Sequence, residues 1–248
     1  MEAIYILWLR QIKKYFRSKA RMIGSLGQPL LFLVALGLGF GPIYQKAGGG
    51  NYIEFLTPGI IAMSILFTAV FSGIEIIWDR QFGFLKETLV APVSRFNIML
   101  GRTLGGATVA TLQGLIVFAL SFLVGFRPTS WALLPFAIIF MFLISLLFCA
   151  LGTAIASLLT DMQGFQLIVN FLIMPVFFLS GALFPLAGLP KIIEVIASID
   201  PLSYGVDGIR GALIGAAHFG ISLDFLVIGV VTAIFLAIGS WLFSKIQI

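Results

Sequence analysis

Few residues in this chain could do chemistry, and they stand apart from one another. One cysteine, Cys149, lies inside an apolar run, and one histidine, His218, lies near a chain turn. Two such ligands cannot make a zinc site of ordinary spacing, and a lone cysteine forms no intrachain disulfide. There is no G-x-x-x-x-G-K-S/T loop to cradle the phosphates of ATP. No H-E-x-x-H, nucleophile elbow or pair of catalytic carboxylates is present either. The carboxylates fall near the ends of apolar runs, whereas ion-coupled carriers place ionisable groups or broken helices at mid-membrane. The chemistry left is that of ion pairs and docking. Asp207 and Arg210 are spaced i, i+3, so they can pair on one side of a helix. Glu75 sits one turn before Asp79. It is either an interfacial carboxylate that reaches water or a group that positions the helix after it.

Those residues need elements to hold them, and composition says which. The chain has 248 residues, 60% hydrophobic and only 10% charged. A soluble domain would carry roughly a quarter charged residues. The reading is an all-α integral membrane protein, a single transmembrane domain over 1–248, built on spans of about 20 apolar residues. Periodicity excludes the short alternating strands of an outer-membrane barrel. The net charge of +5 follows membrane sidedness and forms no nucleic-acid patch.

Residues 1–22 read as one amphipathic helix. Arg10, Lys13, Lys14, Arg17 and Arg21 fall on one side, and Tyr5, Trp8, Ile12, Tyr15 and Phe16 on the other. Such a helix lies in the headgroup layer, its basic side toward anionic lipid or a partner. Six spans are expected near residues 22–40, 57–78, 97–124, 130–159, 165–183 and 223–243. The first contains Gln28-Pro29. The loop after it, 41–56, holds Gly48-Gly49-Gly50, and a tight turn at 160–164 holds Asp161. Gly101, Gly105, Gly106, Ala110 and Gly114 let helix backbones approach in the third span. Asn170 and Pro175 interrupt the fifth span, where interhelical packing and substrate contact both remain open.

Two stretches are not plain loops. In 79–96, Phe82, Leu85 and Leu89 fall at i, i+3, i+7 and predict one apolar face of a short helix. Pro92 ends that helix and Ser94 can cap the next. A polar-side helix with an apolar face calls for a protein partner. In 184–220, residues 190–198 are too short to span, and Asp200-Pro201 opens a second helix. Two short helices joined by a break predict an external re-entrant hairpin, with Asp200, Pro201, Asp207 and Arg210 as its defining residues. With both termini inside, Lys and Arg divide 11 inside to 4 outside, which sets the expected orientation.

The order of these features resembles a known family. Gln28-Pro29, the run Asp79-Arg80-Gln81-Phe82-Gly83-Phe84-Leu85-Lys86-Glu87, and Ala91-Pro92-Val93-Ser94-Arg95 come first. Phe178-Leu179-Ser180-Gly181-Ala182-Leu183-Phe184-Pro185 and Asp200-Pro201-Leu202-Ser203-Tyr204 follow. Together they resemble the permease subunit of a type 2 ABC exporter, of the daunorubicin-resistance and nodulation-factor branch. The resemblance implies separate ABC ATPase subunits that bring ATP and magnesium, a second permease subunit, and a prokaryotic plasma membrane location with cytoplasmic termini. It implies no cofactor in this chain, a connecting helix at 1–22, and a coupling helix at 81–90. The coupling set is Phe82, Leu85, Lys86 and Leu89, with Glu75 and Asp161 beside it. It also implies a substrate path between subunits, with Phe67, Phe71, Asn170, Phe171 and Phe177 as candidates. The cargo class would be a hydrophobic drug, a lipid or a lipid-linked saccharide. Rival readings are a carrier or channel without an ATPase, and a membrane scaffold or immunity protein.

Overall fold

A computed structural model of the chain describes residues 2–48 and 50–246, without the side chain of Arg21. Gly49 and the place of Arg21 on the basic face therefore lie outside the described residues. The described chain is helical, with no strand among those residues. Six helices are long and apolar enough to cross a membrane: Met22–Lys46, Tyr52–Gln81, Arg95–Val124, Leu134–Leu158, Met162–Leu179 and Ile221–Ser244. The expected all-α, six-span membrane protein is the one observed.

Helix α1 (Glu2–Arg17) is separated from α2 (Lys19–Lys46) at Ser18, whose φ of −98° and ψ of 72° are not helical. The first 22 residues are thus not one helix. Helix α2 runs on through Pro42 to Lys46, so the loop expected at 41–56 shrinks to the residues just before Tyr52. Aromatic contacts explain the longer helix. The Tyr44 ring lies 5.0 Å from Tyr52 and 5.8 Å from Phe55. Asn51 then caps α3 (Tyr52–Ser72) by accepting from Ile53 N.

Helix α3 is the most enclosed span, and α6 (Arg95–Ser121) and α7 (Leu134–Leu158) pack around it. Bare backbone makes the closest approaches. A Cβ on Gly59 would stand 2.1 Å from the Ala182 carbonyl, and one on Gly152 2.4 Å from that of Val70. Removing side chains lets helices gain dispersion contacts where lipid supplies no hydrophobic drive. The glycines of α6 divide between two neighbours. Gly101 and Gly105 receive α1 through Ile4 and Gln11, while Gly106 and Gly114 receive Ser72 and Ile65 of α3.

Helix α4 (Ile74–Gln81) continues α3 after a break at Gly73, and α5 (Phe84–Val90) is a short separate piece. Ser94 caps α6 by accepting from Asn97 N, as its position predicts. Helix α7 starts later than expected because residues 130–133 are irregular. Asp161 caps α8 (Met162–Leu179), its Oδ1 2.5 Å from Gly164 N. Helices α9 (Lys191–Ile199) and α10 (Pro201–Ile214) are the two short helices expected before α11 (Ile221–Ser244). They differ sharply. Residues 202–213 of α10 are all buried, whereas Ile192, Val195, Ile196 and Ile199 of α9 are exposed.

Candidate functional site

The charged residues gather at one corner, where α1, α4, α5 and α6 meet. Glu75 and Asp79 lie one turn apart on α4. Arg10 and Lys14 lie one turn apart on α1. The two sets run past each other, so Lys14 Nζ is 3.1 Å from Glu75 Oε1 and Arg10 Nη2 is 3.3 Å from Asp79 Oδ1. Arg102 of α6 donates to the other Asp79 oxygen from a buried position. One carboxylate thus holds two guanidinium groups from two different helices. Charges this enclosed hold together only when paired and hydrogen-bonded.

Aromatic side chains extend the same corner. The Arg10 guanidinium lies 4.0 Å over the Phe84 ring, which joins α1 to the start of α5. Trp8 Nε1 donates to Thr108 Oγ1 at 3.0 Å, and Tyr15 OH to Gln113 Oε1 at 2.5 Å. Helix α1 therefore spends Trp8, Tyr15, Arg10 and Lys14 on its own chain, and among the described side chains of the expected faces Tyr5, Phe16, Lys13 and Arg17 stay exposed. Below α4, Arg80 donates to the Leu159 carbonyl at 2.9 Å and Gln81 to that of Thr160 at 3.2 Å. This ties the corner to the α7–α8 turn that contains Asp161.

The register of the short helix differs from the expectation. Phe82, Leu85 and Leu89 do not share one helical face. Phe82 belongs to the end of α4, and Gly83 then adopts φ +79°, a left-handed conformation that suits glycine. Helix α5 starts only at Phe84. Leu85 turns into the chain and is 1% exposed, whereas Phe82 and Val90 are 82% and 83% exposed. Leu89 is half-buried, and Lys86 is exposed. The outward apolar residues are thus Phe82, Phe84 and Val90.

The Asp207–Arg210 pair is also a correction. Asp207 accepts from His218 N at 2.7 and 2.8 Å and from Phe219 N at 2.7 Å. Arg210 donates to the Gly181 carbonyl at 2.9 Å and covers the Phe55 ring at 4.1 Å. Nearer backbone partners capture both groups, so each pins a different loop. Asp200 does cap α10, its Oδ1 2.8 Å from Leu202 N, ahead of Pro201 at the first helical position. Burial pushes the Asp200 carboxyl up to about 7, against the bond from Leu202, which lowers it.

The five path candidates do not line one cavity within the chain. Phe67 meets Phe177 edge-on at 6.3 Å, and Phe71 meets Phe165 in the same way. Phe177 is buried, while Asn170 and Phe171 face outward from α8, Phe171 at 87% exposure.

This arrangement of spans and corner has relatives. The profile of the family described as ABC-2 type transporter matches residues 2–214. The chain belongs to that family. Nodulation protein J of Rhizobium leguminosarum bv. trifolii is 30% identical over 232 residues, covering 90% of this permease and 86% of the relative. The putative transport permease ycf38 of Cyanophora paradoxa is 28% identical over 262 residues, 99% of this permease and 89% of the relative. The ycf38 protein of Porphyra purpurea is 31% identical over 217 residues, 85% and 73% of the two chains.

The partners of the two acidic residues escaped the sequence reading. Arg10, Lys14 and Arg102 are the residues it missed as parts of the permease's corner. A signal for two of them was there. Glu75 and Asp79 are four apart, as are Arg10 and Lys14, so an antiparallel crossing matches both pairs at once. Arg102 gave none, because its burial follows from how α6 packs.

Proposed function

We propose that this ABC-2 permease is the transmembrane half of an ATP-driven exporter whose ATPase is a separate protein. The observation that carries the reading is the outward apolar surface of Phe82, Phe84 and Val90. It stands on a corner fastened by Asp79 to α1 and α6. A short helix with apolar groups outside the spans calls for a protein groove. A push there reaches α3 through α4, α6 through Arg102, and α7–α8 through Arg80 and Gln81. In this reading the corner and both termini are cytoplasmic, as the 11 to 4 charge division favours. The partner ATPase supplies the ATP and magnesium chemistry.

A second permease subunit belongs to the same proposal. Asn170 faces outward from a span, beside Phe171. An amide turned to hydrocarbon is costly, so a partner surface or a water-filled path suits it better. The path would then run between two copies, with Phe67 and Phe71 behind the aromatic wall. The cargo of the same proposal is a hydrophobic drug, a lipid or a lipid-linked saccharide moved outward across a prokaryotic plasma membrane. The test is co-purification. Membranes solubilised mildly should yield this chain with a P-loop ATPase, and the complex should hydrolyse ATP while the chain alone does not. A preparation that transports without any ATPase would support an independent carrier, and one that never transports would support a scaffold.

A further inference from the structure

A cavity of about 240 Å³ lies inside one chain, enclosed by α1, α2, α3 and α6. It shares Phe67 and Phe71 with the path proposed above and adds to them polar groups of α1 and α2. Its lining is unusually polar for a span region. Gln11 comes from α1, Gln28 from α2, Ser64 and Thr68 from α3, and Glu75 from α4. Phe67 and Phe71 form an apolar flank. Ser64 is 3% exposed, and its Oγ has no hydrogen-bond partner among the described residues. A buried hydroxyl without a partner is costly, and a ligand atom in the cavity would offset that cost.

The lining also states what the ligand is not. Among the described residues no Lys or Arg lines the cavity, and the Glu75 carboxylate is paired with Lys14 at 3.1 Å. A phosphate would meet the Glu75 carboxylate, and the Lys14 ammonium beside it is already paired. Amides and hydroxyls instead suit a group that both donates and accepts, and the Phe67–Phe71 flank suits a hydrocarbon chain. We propose that this cavity binds the uncharged, hydroxyl-bearing headgroup of an amphiphile from the adjacent leaflet. The bound headgroup bridges Gln11 of α1 to α2 and α3, so occupancy fastens α1 to the bundle.

The test uses the full chain in nanodiscs of phosphatidylcholine, titrated with a monoacylglycerol and counted by native mass spectrometry. One saturable site per chain is expected, together with a raised melting temperature, because the ligand binds the folded state. Ser64→Ala and Thr68→Val remove one hydroxyl each without adding volume. Each should weaken binding about fivefold, the value of a single hydrogen bond. Gln28→Leu, at an exposed position, should do the same, and Leu226→Ala on the exposed face of α11 should change nothing. Free glycerol at matched concentration should not bind measurably. The proposal is overturned by non-saturable uptake, by full affinity in Gln28→Leu and Thr68→Val, or by phosphatidylglycerol competing as well as the monoacylglycerol. Because no ATPase is present, these outcomes do not depend on whether the chain powers export.

Discussion

Lys14 and Glu75 meet 3.1 Å apart, and one turn along each helix Arg10 and Asp79 repeat the contact. This double crossing sets α1 in register on α4. The second pair differs from the first because Arg102 shares its carboxylate. Asp79 is consequently the residue on which the corner depends.

Loss of Asp79 should therefore cost much more than loss of Arg10. Asp79→Ala leaves the buried Arg102 without its counter-charge, a change worth about 3–5 kcal/mol. The Arg10 side chain is 33% exposed, so Arg10→Gln removes a screened contact of about 0–1 kcal/mol. Melting curves of both purified variants in detergent should separate them clearly. Equal, small shifts would show that Arg102 finds water or another partner.

Glycine positions give a second contrast. Gly59→Ala puts a methyl 2.1 Å from the Ala182 carbonyl, and Gly152→Ala one 2.4 Å from that of Val70. Both clashes are with backbone, which cannot rotate away. Each variant should lose most of its folded yield. Gly24→Ala meets nothing within 4 Å and should be neutral or stabilising by up to about 1 kcal/mol, the helix-propensity difference. Fluorescence size-exclusion profiles at matched expression would decide.

On the outward surface, Phe82→Asp and Val90→Asp should insert and fold normally but bind the ATPase poorly. Burying one such side chain in a groove is worth about 1.5–3 kcal/mol, so each change should weaken association at least tenfold. Leu85→Asp should behave differently. It buries a charge within this chain and should reduce folded yield before any partner is involved. Lys86→Gln, exposed and unburdened by packing, should change little. Pull-down of the ATPase at matched membrane levels reads all four.

The loop before α11 should answer to Asp207 alone. Asp207→Leu frees the amides of His218 and Phe219, which should then exchange hydrogen much faster. Arg210→Leu acts on the Gly181 and Phe55 side and should leave that exchange unchanged. Matching effects at both sites would restore a direct pair.

Sidedness is readable by labelling on a Cys149→Ala background. Ala47→Cys, in the exposed turn after α2, should react with an impermeant maleimide in intact cells, and Lys86→Cys only after permeabilisation. The opposite pattern would invert the proposed orientation.

The number of spans was legible because apolar length alone decides it. The caps at Ser94 and Asp200 were legible for a similar reason: each is a local bond between neighbours in sequence. The register of α5 was not, since an i, i+3, i+7 pattern assumes an unbroken helix and Gly83 breaks it with a backbone turn. The partners of Asp207 and Arg210 were not legible either. Spacing shows that two side chains can meet, but not that backbone amides or carbonyls will reach each first. The corner needed tertiary knowledge, although its matched four-residue spacings were open to inspection. Asn170 was left between packing and contact, and its outward direction on α8 is a tertiary fact that no spacing supplies.

The docking of α1 has a consequence for biosynthesis. Its partners are far along the chain: Asp79 is 69 residues beyond Arg10, and Gln113 is 98 beyond Tyr15. Ribosomes add about 5–20 residues per second, so α1 waits roughly 5–20 s for the end of its binding site to be made. During that interval the α4 and α6 partners of Arg10, Lys14, Trp8 and Tyr15 are not yet all made. The first helix made is thus among the last to be seated, since its place is built from α4 and α6.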